Sequence, residues 1–425
     1  MSTFLSGPLF GIRPRPGRIV HPMRWLEFPT GPAAAQWRTV ATQRTVLAAV
    51  HTMATAGHVF DALELLESDQ RIQVVFTQAP DVFVGGVREY LRVSGAIEIS
   101  WEQAIHTDFD LVIAADSGGV HRLRGPWLAI SHGVMNNKLA PPALGGPTSE
   151  LVTGLGAPWL TWYGRLLPAV LAISHHAVLP VLSRQCPQAV PVTSVVGDLC
   201  LDRLVRSRAF RAAYRRALGV PDGRPLVAIS STWGPESLLG CSSAALFDQI
   251  AGLSEDGFEV AMVIHPAAWY GHGSRQMLAW LTGQRRAGLR IVEPVSWRGL
   301  VAAADVVIGD HGSATVYAAA TGVPVLRAGP LPRNTAPGSP AEILASMAPM
   351  MRSGPLAPQV HEAVGVFDAE RYAAVAGRVT SQPGQAAQLL REQMYRLLRL
   401  PEPEGNCAAA PVGAAVPVGD EGARR

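Results

Sequence analysis

Cysteine is scarce in this chain of 425 residues, and the four present, Cys186, Cys200, Cys241 and Cys407, lie far apart. They form no CxxC pair, and no histidines stand at the spacing that would complete a four-ligand zinc site, so neither a disulfide framework nor a structural metal is expected. Four scattered thiols fit a reducing, cytoplasmic compartment. A surplus of one charge is also lacking. Lys and Arg total 36 against 33 Asp and Glu, a net charge of +3, too small and too dispersed for the basic face that nucleic acid requires. Long apolar runs are missing as well. Pro8, Pro14, Pro16 and Pro22 break the segment through Met23, leaving no continuous apolar region for a secretion signal. The most apolar stretch, Leu160 to Leu182, is interrupted by Arg165, Pro168, His175, His176 and Pro180. It reads as core strand plus helix, with membrane contact peripheral at most.

Three signature loops are absent too. Without GxGxxG or GxxxxGK[ST] there is no support for a dinucleotide dehydrogenase or a P-loop NTPase, and without GxSxG none for a serine hydrolase. His121, His175, His176 and His272 have no carboxylate or cysteine at ligand spacing, so no metal and no bound cofactor is expected.

What the chain does have is length and apolar content, 48% hydrophobic residues, enough for two cores, since single cores stop growing near roughly 250 residues. Short apolar runs alternate with helical patterns. Arg44–Val50, Arg71–Phe76, Ala96–Ile99, Asp110–Ala115, Trp127–Ile130 and Ala169–Ile173 read as strands of one parallel sheet. Leu226–Ser230, Glu259–Ile264, Leu289–Val292, Asp305–Gly309 and Val323–Leu326 read as strands of a second. Helices are expected at 207–218, 244–253, 275–285 and 314–321. The expected fold class is therefore α/β, two Rossmann-like domains facing a cleft. Residues 1–40 read as a poorly ordered arm, 41–190 as an acceptor domain and 191–382 as a donor domain. Residues 383–400 read as a helix crossing back, and 401–425, built from Gly, Ala, Pro and Val, as a disordered tail. The connection from Ala140 to Pro158 is longer than a routine loop.

Ligands of open α/β sheets collect beyond the carboxyl ends of the strands, and five such junctions carry polar groups. They are Asp116-Ser117-Gly-Gly119, Ser131-His132-Gly133, Ser231-Thr232-Trp233-Gly-Pro-Glu236, His265-Pro266 and Asp310-His-Gly312-Ser313-Ala314. In the last, a strand runs through a small polar turn into a helix whose free N–H groups suit a phosphate, although Ser313 would serve equally as an ordinary N-cap. His132 is a candidate general base, its ordinary pKa lying near working pH, and His265 a candidate donor to a phosphate oxygen. Each histidine alone also fits a turn or packing residue. Thr232 and Trp233 are candidates for holding a donor, with Trp233 equally able to cover the end of the sheet. Asp116, Ser117 and Gly133 fall on the acceptor side.

Taken together these junctions resemble those of the CDP-glycerol glycerophosphotransferases, the teichoic-acid polymerase and primase group, which have the GT-B fold. The resemblance rests on His132-Gly133, Val196-Gly197, Asp202-Arg203-Leu204, Ser231-Thr232-Trp233, His265-Pro266 and the segment from Asp305 through Pro324, and spans about Thr45 to Leu326. It implies acceptor activation by His132 and contacts from His265, Asp310, Gly312, Ser313 and Ala314 to the donor's diphosphate. It implies a nucleotide-activated donor as substrate and a hydroxyl acceptor, lipid-linked carriers among them, with no metal required. Three positions depart from the pattern. Asp310-His-Gly-Ser313 replaces Asp-Tyr-Ser-Ser, Tyr317 replaces an acidic residue, and Gly234 replaces an arginine. The departures leave open whether glycerol phosphate or a glycosyl group is transferred. They also leave open a sugar-nucleotide 2-epimerase of related fold and a nucleotide-sugar-binding protein without catalysis.

Overall fold

The computed structural model describes residues 39–141, 150–241, 244–405 and 407–419. The expected N-terminal arm, apart from residues 39 and 40, and residues 142–149 of the long connection lie outside them. Strand β1 (Arg44–Val50) shows why the sheets are parallel and covered: Val46 to Val50 are all fully buried, so neither face is wetted. β2 (Ile72–Gln78), β3 (Leu111–Ala114) and β4 (Trp127–Ala129) follow, then a two-residue-stranded hairpin of β5 (Thr161–Trp162) and β6 (Arg165–Leu166), then β7 (Pro168–Ile173) and β8 (Thr193–Val195). The first sheet is ordered β2-β1-β3-β4-β7-β8, and its pairings are all parallel. β9 (Leu226–Ser231), β10 (Glu259–Ile264), β11 (Arg290–Val292), β12 (Val306–Gly309) and β13 (Val325–Arg327) form the second, ordered β11-β10-β9-β12-β13 and again parallel.

These orders locate the crevices. In each sheet the winding reverses beside the first strand, between β1 and β3 in one and between β9 and β12 in the other. A topological switch point leaves the connections diverging to opposite faces and opens a gap at the carboxyl ends of the strands. His51 and Asp116 follow the first pair, and Thr232 and Asp310 the second.

Several expectations need correction. Ala96–Ile99 is not a full strand: Glu98 makes one isolated bridge to Phe76, because Ser100 already caps the helix Trp101–His106. The first sheet continues past residue 190, since β8 pairs with β7. The helix expected at 207–218 is two: Asp198 caps Leu199–Ser207, a short 3-10 turn intervenes, and Arg211–Ala217 stops before Gly219 at φ +67°. Of the tail expected to be disordered, residues 407–419 are packed. Ala409, Val412 and Ala415 are buried, Tyr214 donates from its hydroxyl to the Val412 carbonyl at 2.6 Å, and Val418 N–H donates to Ile291 O at 2.8 Å. Small residues allow this: a Cβ on Gly299 would fall 2.4 Å from Ala415 N.

The helix Ala386–Leu398 returns Leu390, Met394, Tyr395 and Leu398 to the core around β1 and β3. A buried ionic joint fixes the two halves. Asp61, on the helix Met53–Leu63, meets Arg203 at 2.7 Å and Arg298 at 2.8 Å, and Arg203 also meets Glu64 at 2.8 Å. Asp61, Arg203 and Arg298 are withdrawn from water, and each charge there depends on its partners of opposite sign. Among the described residues no helix is long and apolar enough to cross a membrane.

Candidate active site

On the first sheet, the residues after β1, β3 and β4 form one wall. His51 is fully buried, with Nε2 2.7 Å from the Gly118 carbonyl, and burial lowers its pKa. A carbonyl only accepts, so His51 carries its proton on Nε2. Asp116 folds its carboxylate back onto the Ser117 and Gly118 amides at 2.6 and 3.3 Å, which shapes the turn beneath them. His132 is exposed and places Nδ1 2.8 Å from the Ala115 carbonyl. The same reasoning puts its proton on Nδ1 and leaves the lone pair of Nε2 free. Gly133 makes the turn possible: its φ is +126°, and a Cβ there would lie 2.7 Å from Ser313 Oγ.

On the second sheet, Asp310 follows β12 and organises the facing wall. Its Oδ2 accepts from Thr232 N (2.8 Å), Thr232 Oγ1 (2.9 Å) and Leu238 N (2.9 Å), and its Oδ1 from Gly312 N (3.2 Å). Four donors inside the protein make Asp310 and Thr232 positioning residues for this wall. Gly312, not Ser313, is the N-cap of the helix Ser313–Ala320. A glycine cap offers no side-chain oxygen, and the Ser313 and Ala314 amides have no acceptor among the described residues. His265 follows β10 and caps the helix Pro266–His272 by accepting from Ala267 N at 3.1 Å through Nδ1. Its proton is therefore on Nε2. Burial, then the positive field of Lys138 and His132, pushes its pKa down to about 4, so the ring is a neutral N–H donor at pH 7.

The walls touch. Ser313 Oγ accepts from Val134 N at 3.2 Å, Phe83 and Trp233 pack with ring centroids 5.1 Å apart, and Trp233 lies 6.5 Å from the His265 ring. Gly85 and Gly86 abut Tyr270 so closely that a Cβ on either would collide with its side chain. The segment after His132 crosses to the second half. Leu139 N donates to Asn334 O at 2.7 Å, Ala336 N to Asn137 O at 3.1 Å and Ala341 N to Asn137 Oδ1 at 3.1 Å.

Three residues of this site were not singled out from sequence: His51, Lys138 and His311. His51 follows a strand as the others do. Lys138 lies on the crossing segment within the field of Asp310 and Glu236, and burial lowers its pKa. It is the only lysine among 36 basic residues, a signal available without any structure. The His311 pKa is lowered by burial and then by Lys138. Of the departures noted above, Tyr317 is buried and donates to Asp198 Oδ2 at 2.9 Å.

No protein-family model matches the chain, and no curated protein does. Solved structures do. A histidine-to-alanine form of the wall teichoic acid polymerase TagF is similar at 11% identity and a TM-score of 0.57, with 84% of this chain and 90% of that one covered. A histidine-to-asparagine form of TagF soaked with CDPG is similar at 12% identity and a TM-score of 0.56, over 84% and 90% of the two chains. A protein assigned as a UDP-N-acetylglucosamine 2-epimerase, from Listeria monocytogenes, is similar at 11% identity and a TM-score of 0.50, over 86% and 100%. At such identities the likeness is one of fold, and the fold is GT-B: two Rossmann-like domains whose strand ends face each other across a cleft.

Proposed function

We propose that this chain is a transferase that binds a nucleotide-activated donor in the cleft and passes a group from its diphosphate to a hydroxyl acceptor. The observation that carries this reading is the pair of opposed histidines. Nε2 of His132 is a free base on one wall, and Nε2–H of His265 is a neutral donor on the other. In an inverting displacement, His132 takes the proton from the acceptor hydroxyl as its oxygen attacks the carbon or phosphorus of the transferred group. The bond to the departing phosphate oxygen then breaks. Charge on that oxygen is met by His265 and by the free amides at the start of the helix Ser313–Ala320. Asp310, Thr232 and Gly312 hold that wall in shape, and Trp233 offers a half-exposed ring beside it. The likeness in fold to a teichoic acid polymerase supports a glycerol-phosphate or glycosyl group, with lipid-linked hydroxyls among the acceptors and the cytoplasmic face as the place of action.

The test is a thermal-shift screen with CDP-glycerol, UDP-sugars and GDP-sugars, followed by turnover with the donor that binds. A ligand stabilises the state it binds. His132→Ala should bind that donor with little loss and turn over about 100-fold or more slowly. Equal turnover by the variant removes His132 from the mechanism. Donor binding without turnover by the native chain favours a nucleotide-sugar-binding protein instead.

A further inference from the structure

The chain contains one lysine, Lys138, and it lies in the field of Asp310 and Glu236 on the second wall of the cleft. Lys138 belongs to the first half of the molecule, yet the segment that carries it is hydrogen-bonded to the second half on both sides, through Asn137 to Ala336 and Ala341 and through Leu139 to Asn334. Asn136, at φ +58°, turns the backbone into this crossing. The ammonium lies in the field of Asp310 and Glu236, and its charge is felt by His265 and His311, residues that follow β9, β10 and β12. Among the described residues its ammonium makes no hydrogen bond or ion pair of its own. The carboxylate of Asp310 is occupied by four internal donors, and Glu236 is exposed. A half-buried cation that the nearby carboxylates do not grip is poised for an anion from outside.

Gly234 follows Thr232-Trp233, so no arginine stands there, and Arg298 is held by Asp61 in the buried joint. We propose that Lys138 is the diphosphate-binding cation of the donor site, reaching across from the acceptor half, so that donor binding and closure of the cleft are one event. This rests on the reading of the cleft as a nucleotide-donor site. Lys138 would engage the distal phosphate opposite the free amides of Ser313 and Ala314. The contact exists only when the crossing segment is docked on Asn334, Ala336 and Ala341.

The two ideas fail differently when binding is compared by phosphate number. Titration calorimetry with CDP, UDP and GDP against CMP, UMP and GMP should give, for the native chain, tighter binding of at least one diphosphate than of its monophosphate. Lys138→Gln should lower affinity for that diphosphate about tenfold or more while leaving the monophosphate nearly unchanged, and Lys138→Arg should recover part of the loss. Retained monophosphate binding reports that the variant is folded, and a merely structural role would weaken both ligands alike. Because no other ε-amine exists, amine-selective labelling of the native chain read by mass spectrometry should show Lys138 protected by the diphosphate and much less by the monophosphate. If the native chain binds nucleotides and Lys138→Gln keeps the native preference for the diphosphate, this inference fails alone. If the native chain binds none of the six, the donor reading fails and takes this inference with it.

Discussion

The methyl group of Thr232 occupies the place that a side chain on Gly312 would need: a Cβ there would lie 2.3 Å from Thr232 Cγ2. Gly312 has an ordinary φ of −78°, so the requirement for glycine is one of space and not of backbone conformation. Gly312→Ala should therefore destabilise the fold by about 1 to 3 kcal/mol through overpacking and weaken donor binding by shifting the helix start. Thr232→Ser keeps the hydroxyl on Asp310 and removes the obstructing methyl. The double variant should regain most of the lost stability, a coupling measurable in a double-mutant cycle by urea unfolding. Additive losses would show that the two residues do not meet.

His265 has two separable tasks, one on each ring nitrogen. Nδ1 caps a helix and Nε2–H faces the cleft. Asparagine places its oxygen near the Nδ1 position, and glutamine places an amide near Nε2. His265→Asn should keep stability within about 1 kcal/mol of native while turnover falls about 100-fold. His265→Gln should lose the cap, at a cost of about 1 kcal/mol, and retain more turnover. Steady-state kinetics beside thermal melts decides the matter, and the reverse ranking would relocate the function of this ring.

Sequence legibility followed the physics of each signal. β1, β9, β10 and β12 were readable because strands covered on both faces are continuous apolar runs, and the polar residues after β3, β4, β9, β10 and β12 follow from the rule for strand ends. The strand order, and hence the switch points that single out His51 with Asp116 and Thr232 with Asp310, depends on pairings no local pattern encodes. Lys138 was missed for a different reason. Its segment has no period, and its place follows from three hydrogen bonds to residues about 200 positions away. The tail misled because Ala, Gly and Val without a period look like a chain that cannot form a core, yet small residues are what fits against Gly299.

One half-buried group and one buried group give the stability opposite pH slopes. The His265 pKa is down from 6.5 to about 4, so between those values the unfolded chain binds more protons than the folded one. Its contribution is complete above pH 6.5 and is lost as pH falls toward 4, with a ceiling of about 3 kcal/mol that partial solvent contact reduces. Asp198 is the reverse. Burial pushes its pKa up from 3.8 to about 6, despite hydrogen bonds from Leu201 N and Tyr317 Oη, so the folded chain binds the extra proton and stability falls as pH rises from 3.8 to 6. Asp198→Asn preserves an acceptor for Leu201 and a partner for Tyr317. It should stabilise the protein at pH 7.5 and steepen its loss of stability on acidification, whereas His265→Asn should flatten that loss. Urea midpoints at pH 4.5, 6 and 7.5 test both signs, and parallel curves for the three proteins would refute them.

Removing the C-terminal segment should not be silent. Without residues 407–425, Val412 and Ala415 leave the core beside the helix Trp297–Ala303, Ile291 of β11 loses its bond from Val418, and Glu293 just after β11 loses its bond to Val416. The Tyr214 hydroxyl and Arg203 lose the Val412 and Pro411 carbonyls, which leaves a buried phenol without an acceptor and loosens one arm of the joint with Asp61. One valine, two alanines and about four hydrogen bonds correspond to a loss of about 3 to 6 kcal/mol. Gly299→Val provides the same test without shortening the chain, because its side chain would collide with the backbone at Gly413, Ala414 and Ala415. Both proteins should unfold at clearly lower urea concentration than the native chain, and limited proteolysis of the glycine variant should release the segment first. Native midpoints in both would mean that the segment does not support the second sheet. The Asp61 joint would then hold the two halves, and with them the opposed histidines, by itself.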